Sequence, residues 1–216
     1  MASKKALILG ATGLIGQYVL SQLLTDQRYD QVVAFSRREL SQTHPKLKVV
    51  IVDFAKMEQV AEHFGGDELY CCLGTTMKKA GSEEAFKWVD YEIPYRAAKL
   101  ALSQGLKHYL IVTAMGADTK SFFFYNRVKG EIERDLAALG LERLSILQPG
   151  LLLGDRDEQR LGESIAQNVS KVFSPILPNA YKPIAGKTVA KAMIHIANGD
   201  FAQSIFSSGE LQTLGK

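Results

Sequence analysis

Tyr125-Asn126-Arg127-Val128-Lys129 places a phenol and an ammonium four residues apart. On a helix that spacing brings both to one face. In a cleft, the ammonium would stabilise the phenolate and make Tyr125 an acid or base usable near neutral pH. The spacing alone is cheap, since Tyr95 and Lys99 repeat it. Position separates the two pairs. Tyr125 opens a helical pattern just after the fifth expected strand, whereas Tyr95 lies in mid-helix before that strand and reads as a packing or interface residue.

A second group of residues could hold phosphates. Gly10-x-x-Gly13-x-x-Gly16 follows the apolar run Ala6-Leu7-Ile8-Leu9 and precedes an amphipathic stretch with Tyr18, Val19, Leu23 and Leu24. This is the order of a buried strand, a tight turn and a helix N-terminus. The first glycine permits the turn, the second lets a pyrophosphate approach the backbone, and the third packs helix against strand. Free N–H groups and the positive end of the helix then face the anion. The strand–turn–helix context makes this a dinucleotide site rather than a chance glycine triplet.

Twenty residues after Gly16, the second expected strand ends in Ser36-Arg37-Arg38. A carboxylate there would hold a ribose 2′-hydroxyl and repel a 2′-phosphate, whereas arginines hold the phosphate. The expected cofactor is therefore NADP (NADPH). Asp53-Phe54, after the third strand, is expected to line the adenine, with Asp53 as a helix cap the alternative.

The elements that must position these residues follow from the pattern of apolar runs. Strands are expected at 4–9, 31–36, 47–52, 68–73, 108–113 and 142–148, and helices at 14–25, 56–63, 83–104, 125–139 and 187–198. The alternation predicts an α/β fold, a Rossmann-type doubly wound parallel sheet, with ligand beyond the carboxyl ends of the strands. Gly10, Ser36, Asp53, Gly74 and Thr113 all fall at such ends. Pro149-Gly150, Pro175, Pro178 and Pro183 break the rhythm, so 150–185 is expected to form a small irregular cap on one domain spanning 1–216.

Bulk properties narrow the classes. The chain has 216 residues, 46% of them hydrophobic, and a net charge of +3. It can bury a sizeable core, yet it has no run of 18 apolar residues for a membrane span and no basic stripe for nucleic acid. Cys71 and Cys72 are adjacent in an apolar run, where neighbours point to opposite faces, so both read as buried thiols rather than a disulfide or metal pair. The four histidines have no ligand spacing, and no metal is expected. Lys4-Lys5 before an apolar run imitates a secretory signal, but the glycines interrupt it, and a cytoplasmic protein is expected.

Taken together, the motifs resemble the extended or atypical short-chain dehydrogenase/reductase superfamily, nearest its small Tat-interacting-protein-like branch of NADPH-binding oxidoreductases. Besides the glycine turn and Tyr125-x-x-x-Lys129-Gly130-Glu131, the matching pieces are Cys72-Leu73-Gly74-Thr75-Thr76, Val89-Asp90-Tyr91, Thr113-Ala114-Met115-Gly116-Ala117-Asp118 and Gln148-Pro149-Gly150 through Gly154-Asp155-Arg156. The resemblance implies that Gly10, Thr12, Gly13, Leu14 and Ile15 cradle the pyrophosphate. Arg37 and Arg38, beside Ser36, would hold the 2′-phosphate, and Leu73, Gly74 and Thr75 would line the adenosine and ribose. Lys129 would bind the nicotinamide ribose and tune Tyr125, Leu152 would flank the nicotinamide, and Arg160 would reach cofactor or substrate.

Two positions depart from that pattern. The superfamily's serine or threonine pair after the fifth strand reads Thr113-Ala114, leaving Thr113 or Ser121 to supply the carbonyl-polarising hydroxyl. The asparagine of the preceding helix is Asp90.

The leading expectation is an NADPH-dependent oxidoreductase that reduces a small carbonyl substrate, with Tyr125, Lys129 and Thr113 as its catalytic set, acting as a monomer or homodimer. The alternative is an NADPH-binding sensor or scaffold with little turnover, for which Phe122-Phe123-Phe124 would be the partner surface. That run reads more readily as a buried wall of pocket or core. A sugar-nucleotide epimerase fits less well, because the cap is short.

Overall fold

The computed structural model describes residues 3–153 and 182–216. Seven parallel strands form one sheet in the order β3-β2-β1-β4-β5-β6-β9. They are β1 (Lys4–Leu9), β2 (Tyr29–Ser36), β3 (Leu47–Ile51), β4 (Glu68–Cys71), β5 (His108–Val112), β6 (Arg143–Gln148) and β9 (Ile205–Ser207). Leu152–Leu153 (β7) and Ile184–Ala185 (β8) make a separate parallel pair. The helices are α1 (Gly16–Thr25), α2 (Met77–Ala80), α3 (Glu83–Lys87), α4 (Ile93–Ser103), α5 (Phe124–Ala137), α6 (Gly186–Asn198) and α7 (Ser208–Leu214). The fold is Rossmann-like, as the alternation of apolar runs predicts.

Two apolar layers clamp the sheet. Alternate strand residues such as Ile8, Ala34, Tyr70 and Leu110 face α1, α6 and α7. Leu7, Val33, Leu69, Tyr109 and Ile111 face α4, α5 and the segment Phe54–Phe64. On α1 the buried face is Val19, Leu20, Leu23 and Leu24, the helical repeat that commits it to the core. Each such side chain contributes about 1.5–3 kcal/mol of burial. Cys71 and Cys72 separate onto the two layers, and both are free thiols, Cys71 buried and Cys72 half-buried.

Strand order reverses between β1 and β4, so the crevice for a ligand opens beyond Leu9 and Cys71. Three expectations change in detail. The helix expected at 83–104 is interrupted by a π turn, Trp88–Glu92, between α3 and α4. The helix expected at 56–63 is a kinked 3₁₀ segment, Phe54–Phe64, with Lys56 and Val60 outside helical torsions. Beyond the last expected helix, β9 and α7 extend the sheet edge, with Ser207 and Glu210 in a capping box. Most of the expected cap, 154–181, lies outside the described residues, and Arg160 lies there with it.

Candidate functional site

The turn after β1 is built by contact. Gly10 has φ +82, and a Cβ on it would stand 2.7 Å from the Cys72 carbonyl at the end of β4. A Cβ on Gly16 would stand 2.0 Å from the Gly10 carbonyl oxygen. Only glycine at both positions lets the loop fold so tightly, and the Gly13 N–H closes it by donating to the Gly10 carbonyl at 3.0 Å. Helix α1 then starts with no side-chain cap at Ile15 and no acidic residue in its first turn. The Gln17 and Tyr18 amides are taken by the Gly13 and Ile15 carbonyls, so an anion would meet the turn just ahead of them, at Leu14 to Gly16.

Two hollows flank this turn along the carboxyl edge. One, of about 530 Å³, is lined by Ala11, Thr12, Ser36, Arg37 and Arg38, with Glu39 and Leu40 among the residues that continue its wall. Arg37 and Arg38 are exposed, and among the described residues neither guanidinium meets a carboxylate. The Arg38 N–H donates to Ser36 Oγ at 3.3 Å, which ties the turn together. Free arginines beside an open helix N-terminus suit a phosphorylated ribose.

The other hollow, of about 500 Å³, takes its walls from Gly13, Leu14, Ile15, Leu73, Gly74, Thr75, Lys79, Asp90, Thr113, Tyr125, Lys129 and Leu152. Residues far apart in sequence therefore meet here, as the resemblance implies. Tyr125 sits at the start of α5 with its ring against Phe86, centroids 5.4 Å apart. One turn on, Lys129 Nζ lies 2.8 Å from Asp90 Oδ1, with side-chain exposures of 5% and 1%. Asp90 Oδ2 accepts the Thr75 N–H at 2.9 Å. The π turn inserts the extra residue that aims Asp90 inward, a use of such turns common at functional sites.

Glu133, one turn further along α5, continues the face of Tyr125 and Lys129. It accepts a short hydrogen bond from the Thr113 hydroxyl at one oxygen and the Gln148 amide at 2.8 Å at the other. Burial pushes its carboxyl above the usual carboxylate range, against the pull of the Thr113 and Gln148 hydrogen bonds and the Lys129 charge. The Thr113 hydroxyl has one proton to donate, and it is directed at Glu133, with the Leu147 carbonyl a second acceptor at 3.3 Å. That leaves Thr113 on the cleft wall without a proton for a substrate. Ser121 Oγ accepts the Phe123 N–H instead of facing the cleft.

Asp53 and Phe54 stand apart from both hollows. Asp53 caps the Phe54–Phe64 segment through the Ala55 N–H at 3.0 Å. Phe54 is buried in the core and gives its carbonyl to Arg96. This is the capping role, in which a short polar side chain ahead of a helical turn satisfies its free amides. Tyr95 stacks on Tyr91 at the core margin, and Lys99 is exposed. Phe122 and Phe123 are 93% and 69% exposed, which corrects the buried-wall reading; only Phe124 packs inward, against Phe86. They precede the first turn of α5, where the chain has not yet met the sheet.

The residue that sequence reasoning missed is Glu133, although Tyr125, Lys129 and Glu133 repeat at four-residue spacing. Asp90 was visible only as a departure.

Comparison with known proteins gives the family. The model of the NAD(P)H-binding family matches residues 10–198. The protein HTATIP2 of Rattus norvegicus is 34% identical over 225 residues, all of this chain and 91% of that one. The mitochondrial protein FMP52 of Candida albicans is 37% identical over 212 residues, 95% of this chain and 90% of its own. A short chain dehydrogenase from Burkholderia cenocepacia, solved with NADP, shares the fold at a TM-score of 0.67 and 18% identity, covering 98% of this chain and 91% of that one. The names of the FMP52 relatives place those proteins in mitochondria, which overturns the expected cytoplasmic location: the glycine-broken N-terminal run argues only against a secretory signal. The chain belongs to the NAD(P)H-binding family, within the atypical short-chain dehydrogenase/reductases of the HTATIP2 branch.

Proposed function

We propose that the protein is an NADPH-dependent oxidoreductase that reduces a small carbonyl compound. One observation carries the reading: Tyr125 and Lys129 share a face of α5 that opens onto the same cleft as the Gly13–Ile15 turn. The amides of Leu14 and Ile15, in the turn that Gly13 closes, would hold the pyrophosphate, and Arg37 and Arg38 the 2′-phosphate that distinguishes NADP from NAD. When bound, the reduced nicotinamide supplies the hydride. Leu152 offers an apolar wall beside it, and Lys129 keeps N–H donors for the ribose. Tyr125 holds the phenolic proton at the cleft and passes it to the carbonyl oxygen as charge develops there. With Ala114 lacking a hydroxyl and Thr113 committed to Glu133, Tyr125 polarises the carbonyl alone.

A second reading, an NADPH-binding sensor or scaffold, is favoured by the exposed Phe122-Phe123 pair just ahead of α5. Exposed aromatic pairs of this kind suit a protein partner. One experiment separates the two. NADPH absorbance is followed against a panel of small aldehydes, ketones and quinones. Turnover of any of them supports the reductase. NADPH binding without turnover across the panel gives the lead to the sensor.

A further inference from the structure

The Asp90–Lys129 pair has a consequence beyond orientation. An asparagine at position 90 would leave the ammonium of Lys129 as a net positive charge at the bottom of the cleft. The carboxylate removes it: with the side chains 5% and 1% exposed and the atoms 2.8 Å apart, the two charges cancel out of reach of solvent. Asp90 is held for this by the Thr75 N–H on its other oxygen and by the π turn of Trp88–Glu92. Among the described residues, the other charged groups near the cleft are Lys79, which is exposed and screened, and Glu133, which is tied to Thr113 and Gln148 and feels the Lys129 charge less directly than Asp90 does.

The two forms of a nicotinamide cofactor differ by one charge on the ring: the oxidised ring is cationic and the reduced ring neutral. We propose that Asp90 is a positioning residue that sets the charge of the nicotinamide end of the cleft, cancelling Lys129 so that the cationic oxidised ring is accepted there as well as the neutral reduced one. This rests on the reading that the cleft of Tyr125 and Lys129 receives the nicotinamide. An uncancelled ammonium would repel NADP⁺ and leave NADPH untouched by that term, so product release and the balance of the bound redox couple would both move.

The test is binding, not turnover. Dissociation constants for NADP⁺ and NADPH are measured calorimetrically on the wild type, Asp90→Asn, Lys129→Met and the double variant. Asp90→Asn is expected to raise the ratio Kd(NADP⁺)/Kd(NADPH) by roughly threefold or more. Lys129→Met leaves the carboxylate unopposed and is expected to lower it. The double variant returns the ratio toward the wild-type value. Asparagine keeps an acceptor for only one of its two neighbours, so should that variant fail to fold, the sign of the Lys129→Met shift decides. A purely structural role would weaken both cofactors by the same factor, and an unchanged ratio overturns the proposal. A wild type that binds neither form overturns the oxidoreductase reading itself, an outcome distinct from an unchanged ratio.

Discussion

Thr113, at the end of β5, donates a hydroxyl hydrogen bond to Glu133, two helical turns beyond Tyr125 on the same face of α5. The bond pins the helix that carries the site to the strand edge that forms its floor. Thr113→Val would leave the buried Glu133 carboxyl short of a donor, at a cost of about 1–3 kcal/mol. Denaturant unfolding should show that loss, with Thr113→Ser recovering most of it. A valine variant as stable as the wild type would mean the bond contributes nothing.

Cofactor choice is expected to rest on the two free arginines. Replacing Arg37 and Arg38 together by glutamate should weaken NADPH binding at least tenfold, since charge-assisted hydrogen bonds are worth about 1.5–3 kcal/mol before solvent exposure reduces them. NADH, lacking the 2′-phosphate, should change far less. Fluorescence titration of both cofactors measures this, and parallel losses would contradict it.

The chemistry turns on one hydroxyl. Tyr125→Phe should lower carbonyl reduction by two or more orders of magnitude while NADPH still binds, because only the transferable proton is removed. Tyr95→Phe is the internal control, stacked on Tyr91 away from the cleft. Equal activity of Tyr125→Phe and wild type in the NADPH-absorbance assay would remove Tyr125 from the mechanism.

At the opposite end of β5, His108 is buried, with Nε2 2.9 Å from Ser145 Oγ. Burial, with the charges of Arg143 and Lys4, drives its pKa down from 6.5 to about 3. The folded state thus favours neutral imidazole. The stability it confers is present above pH 6.5 and is lost as pH falls toward 3, at up to about 1.4 kcal/mol per pH unit. His108→Gln should flatten that stretch of the stability–pH curve. A curve of unchanged slope would show that His108 does not drive acid unfolding.

The fold was legible because its strands are apolar runs at the right length, and its first turn uses glycines where a Cβ cannot fit. The meeting of Gly13, Leu73, Thr113 and Lys129 at one cleft was legible because parallel strands deliver their ends to one edge. What escaped was set by tertiary contact. Asp53 reads equally as adenine ligand or cap, and the cap shows only in its bond to the neighbouring Ala55 amide. Thr113 reads as a catalytic hydroxyl, and nothing local shows that it donates its hydrogen bond to Glu133, twenty residues away. Strand β9 has three residues, and its pairing with β6 rather than its own pattern makes it a strand. Phe122 and Phe123 look like core by composition, and only the course of the chain ahead of α5 leaves them outside.

The wide turn at Trp88–Glu92 also acts as a change of phase. Each residue advances an α-helix by about 100°, so one surplus residue lets the stretches on either side obey different neighbours. Up to Asp90 the chain keeps step with the cleft. From Ile93 onward it keeps step with the sheet, burying Ile93, Ala97, Ala98 and Ala101. Deleting a single residue here would force one rhythm on both halves, so that either the carboxylate would swing away from Lys129 or the alanine face would swing away from the strands.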